Sequence, residues 1–548
     1  AVALSLVEAV TLNPMRASRL LGRSERIPRV FSVLMGWVSK GSELYGRLLR
    51  VALGHRIKVL GGAGLFFVLS LILFKVIPVE FTPPQDQSTF GIRLQTAPDS
   101  SLEATSERLK QWEAFLIGRP EVKSYILIIG GFGGGEPDRA FMFVTLHPRD
   151  ARDLDQMEVM ALCREELRKT EGLSGAVFDF SSRGLQARRS FPVEFSVRGD
   201  DRHTLEDLGR QIVTRMNAEE HFEDADLDLR SASKEIHIEP DRKEALLRGV
   251  SMENIVTTLG IGLGGLREGR FTQDGRRYDI RLRLIPEQRR SAADIQAMQV
   301  RNSFGELVDL KEVTRLKEVP AAKELTRLDR RRSVQIQSSL KEGASQAGAI
   351  ERAREITQEL LPEGYEYYPG GGAQGFAEAF DSLYFAMWLG VMIAYMVLAA
   401  QFNSFVHPFT VLLALPFSIS GALLALWITG QSINMYSMIG MILLTGLSKK
   451  NSILLVEFAN QLREKEGRNP LDAMVESGMV RFRPIVMTSL SSIAAAIPAA
   501  LALGPGAESR IPMAIAVIGG MLFSTALTFF VVPCAYTMLT RLEKEKAG

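Results

Sequence analysis

Residues 436–458 read YSMIGMILLTGLSKKNSILLVEF. Met438, Ile439, Met441, Ile442, Leu443 and Leu444 precede the centre, and Ile453, Leu454, Leu455 and Val456 follow it. A helix rises about 1.5 Å per residue, so this stretch is long enough to cross a bilayer. Lys449 and Lys450 stand side by side near its middle. A charge at that depth costs roughly 3 kcal/mol or more unless it is paired or reaches water, which makes an intramembrane lysine a candidate for function. Successive helix positions point about 100° apart, so the two lysines have different surroundings. One is expected to face a polar bundle interior, the other a neighbour or a water path. The plainer reading is a pair of lysines snorkelling near an interface. The apolar residues on both sides of the pair count against it.

The rest of the chain fits a membrane protein with a large charged part. Its 548 residues suffice for several domains, and 23% are charged, yet mean hydropathy is positive at +0.06. The formal net charge of +2 gives no global attraction to nucleic acid. Cys163 and Cys534 lie far apart, the six histidines are scattered, and neither set has disulfide-framework or zinc spacing. No cofactor is indicated. The run Ala1–Leu12 is apolar but too short to span, and no basic region precedes it. It reads as the end of a membrane helix (residues 1–13) that starts upstream, making the chain a piece or one half of a longer protein.

Arg16 to Lys58 is rich in arginine and lysine, the mark of a cytoplasmic segment. Residues 14–57 are therefore a basic connector, in which Phe31–Leu53 has the composition of a helix lying on the membrane surface. Residues 58–77 form the first complete span, ended by Pro78 and the Pro83-Pro84 pair. About 300 residues without a membrane-length apolar run follow, so this block is expected outside. Strand and helix patterns there give β-α-β-β-α-β over 78–189, the split βαβ arrangement. A second such set covers 190–232 and 325–375. It is interrupted by an inserted subdomain at 233–324, with a glycine-rich loop at 260–269. Residues 383–540 then hold five spans, at 383–400, 408–429, the lysine stretch, 484–503 and 511–539. Parity puts the basic loop 463–483 and the basic tail 541–548 inside, in agreement with their charge.

Several ordered motifs accompany this layout. They are Gly446-Leu447-Ser448-Lys449-Lys450-Asn451, Arg481-Phe482-Arg483-Pro484, Pro78-Val79-Glu80-Phe81-Thr82-Pro83-Pro84-Gln85-Asp86-Gln87 and Thr257-Thr258-Leu259-Gly260. Together the chain resembles the C-terminal half of a resistance-nodulation-division (RND) exporter of the hydrophobe/amphiphile multidrug branch. The resemblance implies an α-helical membrane bundle with α+β, ferredoxin-like periplasmic porter subdomains and an inserted docking subdomain. It also implies a homotrimer in a bacterial inner membrane, working with a periplasmic adaptor and an outer-membrane channel on lipophilic small molecules.

In that family a lysine at the position of Lys450 pairs with two aspartates of the N-terminal half, and Arg481 and Thr488 complete a proton relay. A lysine in a low dielectric keeps its charge only while a carboxylate faces it. Protonating the carboxylates releases the lysine and lets helices repack. Pro484 suits a first helical turn, with Arg481 and Thr488 on one face if the helix runs back through it. The plainer readings are a cytoplasmic anchor for Arg481 and a hydroxyl bonded to its own helix for Thr488. No aspartate lies inside the expected spans. Outside the membrane, Gly130, Gly131, Phe132, Gly133 and Gly134 match the family's switch loop, though Glu136, Asp138 and Arg139 depart from it. Phe132, Phe141, Phe143, Phe178 and Phe180 are candidate walls of an apolar substrate pocket, against ordinary core packing. A non-transporting scaffold or secretion accessory, and a metal-ion exporter, are the alternative functions. Met142 and Met157 do not amount to a methionine cluster.

Overall fold

The computed structural model describes residues 6–20, 29–83, 85–97, 100–130, 136–180, 191–227, 233–321, 325–341, 343–501 and 507–540. The helix that opens the described chain does not stop at residue 13. A π-turn at Glu8–Leu12 runs directly into a helix at Asn13–Leu20. The connector folds as α1 (Arg29–Gly54) and the first span as α2 (Arg56–Val76). One side of α1 buries Tyr45, Leu49 and Leu53 against Ile485, Phe529 and Cys534, and the Tyr45 hydroxyl donates to the Phe529 carbonyl at 3.0 Å. Its amphipathic pattern thus packs on the protein as well as suiting an interface.

The first outer unit has β1 (Thr89–Thr96), α3 (Leu102–Ile117), β2 (Val122–Gly130), β3 (Glu136–Leu146), α4 (Gln156–Lys169) and β4 (Leu173–Asp179). Its antiparallel sheet has the order β2-β3-β1-β4, the split βαβ topology. Local chemistry sets the helix starts. Ser101 accepts from the Ala104 amide, and Asp155 forms a capping box with Glu158. Asp86 anchors the entry to the sheet: its carboxylate takes the buried Arg152 guanidinium and the Gln156 amide that opens α4. Phe90, Ile92, Leu94, Ala140, Met142 and Val144 face the two helices and form the core with Trp112 and Val159.

The second unit repeats this with β5 (Val193–Gly199), α5 (Arg202–Asn217) and β6 (Phe222–Leu227). The insertion enters and leaves through a two-stranded ribbon, β7 (Ser233–Pro240) paired with Thr314–Ala321. Inside it, α6 (Met252–Leu259) is where its pattern puts it, but the glycine run is not a loop. Gly260–Gly264 extends α6 as a π-turn, Gly265 turns at φ +88°, and β8 (Leu266–Gln273) follows. Glycine there serves a wide turn and a bulged strand, both of which read as loop from composition alone. β8 pairs with β9 (Arg276–Leu282) in an exposed hairpin. The unit then resumes with β10 (Arg331–Leu340), α7 (Gln346–Leu360) and β11 (Glu366–Pro369). β10 lies between β5 and β6, and β11 pairs with β5, so the order matches the first unit.

The remaining helices are α8 (Gly371–Phe402), α9 (Val406–Leu412) continuing as α10 (Ala414–Ile428), α11 (Met435–Leu447), α12 (Lys449–Glu466), α13 (Pro470–Ala500) and α14 (Ile511–Leu539). Among the described residues six helical stretches are long and apolar enough to cross a membrane, and α11 with α12 counts as one of them, turning at Ser448. Three expectations need correction. α8 begins at Gly371, not Leu383. The lysine helix runs on to Glu466, so only a short turn with Gly467 at φ +63° precedes α13. α13 begins at Pro470, capped by Asn469, so Pro484 lies inside the helix and not in its first turn. Hydropathy marks the apolar middle of such helices and misses their polar extensions.

Small residues let α10 and α14 approach closely. A Cβ on Gly421 of α10 would stand 2.6 Å from the Gly519 carbonyl oxygen of α14, and one on Gly519 would stand 2.2 Å from the Ala425 Cβ. Backbone cannot yield there as a side-chain tip can. Between α2 and α10, Ser70 and Ser420 hydroxyls share a 2.7 Å hydrogen bond. Gly519→Val is expected to destabilise the bundle by about 2 kcal/mol or more through overpacking. The measurement is thermal unfolding of the detergent-solubilised protein, with Gly62→Val as control, since nothing lies within 4 Å of a Cβ at Gly62.

Candidate functional site

The lysine span presents two chemically different faces. Ile439, Leu443, Gly446 and Lys450 fall at helical spacing on one exposed stripe. Lys449, one position back, is half-buried. Asn451, one position on, is 1% exposed and points into the bundle. Its Nδ2 donates to Ser489 Oγ at 3.0 Å and to Thr525 Oγ1 at 3.2 Å, and Thr525 Oγ1 donates to Ser489 Oγ at 2.9 Å. This triad ties α12, α13 and α14 together through polar groups at the depth of Lys450. Sequence reading missed it, although Asn451 and Ser489 each directly follow a residue it singled out.

Among the described residues no hydrogen bond joins Lys450, Arg481 and Thr488 to one another. Arg481 and Thr488 are both half-buried on α13. The Arg481 Cζ lies 4.6 Å from the Phe458 ring centroid, a cation–π contact to α12, while its buried Nε has no hydrogen-bond partner among the described residues. Thr488 donates to the Ile485 carbonyl at 3.1 Å, the local bond of the plainer reading. Among the described residues no acid lies within ion-pair distance of Lys450. The longer helices do carry aspartates absent from the expected spans, Asp381 on α8 and Asp472 in the first turn of α13, and neither pairs with it.

A second cluster lies on the outer sheet. Along β3 the residues Ala140, Met142, Val144 and Leu146 face the helices, so Phe141 and Phe143 project from the helix-free face. Phe143 and Phe178 flank Gly91 across the strands. Ring centroids are 4.6 Å apart for Phe141–Phe143, 5.5 Å for Phe141–Phe178, 5.7 Å for Phe143–Phe180 and 5.6 Å for Phe178–Phe180. Phe191, at the entry to the second unit, adds a ring 6.3 Å from Phe178. No pattern in the sequence marked it. Gly130 ends β2 with φ +94° and pairs with Glu136 of β3. Gly131, Phe132, Gly133 and Gly134 lie outside the described residues.

Arg93 joins this aromatic face to a cleft between the two outer units. Its guanidinium lies 5.2 Å over the Phe191 ring and 3.6 Å from the Asp226 carboxylate. The cleft measures about 950 Å³ and is lined by polar groups including Arg139, Ser174, Asn217 and Glu223. Arg164 and Arg168 of α4 reach Glu223 of β6 at 3.6 and 3.3 Å, closing one side with ion pairs.

Gly91 is the seat of the aromatic cluster. A Cβ there would stand 2.3 Å from Phe178 Cε2 and 2.9 Å from Phe180 Cζ. Gly91→Ala is expected to displace both rings and cost about 1–3 kcal/mol in thermal unfolding. Adding Phe178→Leu should recover part of that loss. If the second change only adds to the damage, the rings do not rest on Gly91.

The sequence matches the AcrB/AcrD/AcrF family over residues 1–540. It is 29% identical over 552 residues to "Multidrug resistance protein MdtC" of Serratia proteamaculans (strain 568), covering 99% of this chain and 53% of that protein. To the protein of the same name from Yersinia enterocolitica serotype O:8 / biotype 1B it is 28% identical over 553 residues, again covering 99% and 53%. The chain thus spans about half the length of these curated relatives. A crystal structure described as a heavy metal efflux pump shares the fold at TM-score 0.82 and 23% identity, over 93% of this chain and 52% of that one. With a family match running through the outer units and all six candidate spans, this chain belongs to the AcrB/AcrD/AcrF family of RND efflux transporters.

Proposed function

We propose that the chain forms half of a proton-driven exporter of lipophilic and amphiphilic compounds. The observation that carries this reading is the stripe of Ile439, Leu443, Gly446 and Lys450: an exposed cation on an otherwise apolar helix face. Such a face needs a covering surface that brings carboxylates to Lys450. The relatives' length leaves room for that surface in a further half carrying the relay aspartates. Proton binding to those carboxylates frees Lys450, and the span shifts against its cover. Arg481, over Phe458, and Thr488 line the same helix pair and serve as the relay's outer members. The protein works as a homotrimer in a bacterial inner membrane, its outer units periplasmic. The inserted subdomain docks toward an outer-membrane channel, with an adaptor alongside.

Phe141, Phe143, Phe178 and Phe180 supply one wall of the substrate pocket, and the loop carrying Phe132 serves as its switch. Their position on the helix-free face supports this, because it sets them outside the core between sheet and helices. Apolar rings with few polar groups suit varied lipophilic substrates.

Two outcomes check the reading in cells expressing the complete pump. Lys450→Ala should reduce export of a fluorescent dye to the level of cells lacking the pump, at normal protein abundance. Lys449→Ala should act much more mildly. Full export in Lys450→Ala removes the relay, and equal loss from both makes the pair one charge cluster. Phe178→Ala and Phe143→Ala should alter which compounds are exported without lowering abundance. A uniform loss accompanied by degradation assigns those rings to packing instead, and protection against metal ions rather than dyes assigns the pump to metal export.

A further inference from the structure

Residues Pro78–Phe81 leave α2 in an extended conformation and are hydrogen-bonded on both sides. On the membrane side, Glu80 N–H donates to the Ile433 carbonyl at 3.0 Å, Ile433 N–H to the Pro78 carbonyl at 2.9 Å and Met435 N–H to the Phe81 carbonyl at 3.1 Å. Val79 and Ile433 form a parallel bridge. On the outer side, Val79 N–H donates to Ser345 Oγ at 3.1 Å, and Ala347 N–H to the Val79 carbonyl at 3.1 Å. Phe81 N–H donates to Gln346 Oε1 at 2.8 Å.

Both sides end on helix starts. Ser345 caps α7 of the second outer unit, and the buried Gln346 also donates to the Pro192 carbonyl beside β5 at 3.0 Å. Asn434 caps α11, accepting from Tyr436 and Ser437 amides at 3.0 Å each, and its Nδ2 donates to Ser432 Oγ at 2.9 Å. The Ser432 hydroxyl in turn donates to the Glu80 carboxylate. A path of short polar contacts thus runs from the start of the Lys450 span, through four extended residues, to the start of α7. The same residues join α2 covalently to the first outer unit. Burial pushes the Glu80 carboxyl up from its ordinary value, and the Ser432 hydrogen bond opposes that rise. Proline at 78 and the paired backbone make the strap stiff in tension, where a free linker would absorb movement.

We propose that Pro78–Phe81 is a coupling strap, with Ser432, Glu80 and Gln346 as positioning residues that pass displacement of the Lys450 span to the second outer unit. The inference rests on the proton-coupled reading of that span. It adds a route by which an event at Lys450 reaches the cleft, apart from the direct continuation of β11 into α8.

The test compares Ser432→Ala, which removes one hydroxyl, with Gln346→Leu, which keeps size and loses the acceptor for Phe81, in the complete pump. Dye export is measured in energised cells, per pump molecule in the membrane, across dye concentrations. Each variant should lower the maximal rate about fivefold, the effect of one link lost from the path. The half-saturating dye concentration should not change. The double variant should stay near about fivefold and not reach about twenty-five, since links in series fail together. A maximal rate near wild type in Ser432→Ala, or multiplying losses in the double variant, overturns the strap. A shifted half-saturating concentration at unchanged maximal rate also overturns it. Lys450→Ala measured alongside separates the two claims. Its inactivity with active strap variants sinks the strap alone, and its full activity sinks the relay reading itself.

Discussion

A cation on a membrane helix cannot be left to the lipid, and Lys450 makes that constraint specific. Its neighbours at helical spacing, Ile439, Leu443 and Gly446, are apolar or lack a side chain, so the stripe offers the lysine no partner of its own. One position on, Asn451 turns inward and is satisfied by Ser489 and Thr525. The helix therefore has a fixed side and an open side. The fixed side is held by polar contacts at the depth of the charge, and the open side calls for a covering surface with opposite charge. A buried network fixes orientation as well as position, because each member has few alternative partners. The lysine is thereby aimed by residues that never touch it.

The outer units answer to a different constraint, the two faces of a sheet. Period-two alternation sends Met142 and Val144 to the helices and Phe141 and Phe143 away from them. Gly91, between Phe143 and Phe178, lets the rings settle onto the sheet. Arg93 carries the pattern across to the second unit through Phe191 and Asp226. Aromatic face and polar cleft thus share a residue. The extended residues after Pro78 connect this outer architecture to the start of the Lys450 span by hydrogen bonds, so the two constraints meet in one short segment.

Much of this was legible beforehand. Alternating strands and helices gave both split βαβ units and the insertion between them. Their strand order in the structure, β2-β3-β1-β4, is the one that arrangement requires. The two lysines announced themselves because charge in an apolar run is rare. Other features were not legible, for physical reasons. Hydropathy records where a helix meets lipid, so 371–382 fell outside the expected span and 470–483 was read as loop, although their backbone hydrogen bonds continue the helix. Glycine signals conformational freedom without saying how it is used, and at Gly260–Gly264 it is used for a π-turn. Asn451, Ser489 and Phe191 acquire meaning only from the residue opposite each, which no single segment contains. The strap is backbone pairing across distant segments, and Pro78–Phe81 has no side-chain pattern that would declare it.

The central claim is that Lys450 links proton movement to export. The direct measurement uses the complete pump reconstituted in vesicles with a pH indicator inside. An imposed gradient of exported dye should drive protons in the opposite direction, and Lys450→Ala should abolish the pH change while leaving dye binding intact. Dye movement with no accompanying proton movement in the unmodified pump, or an undiminished pH change in Lys450→Ala, would contradict the account.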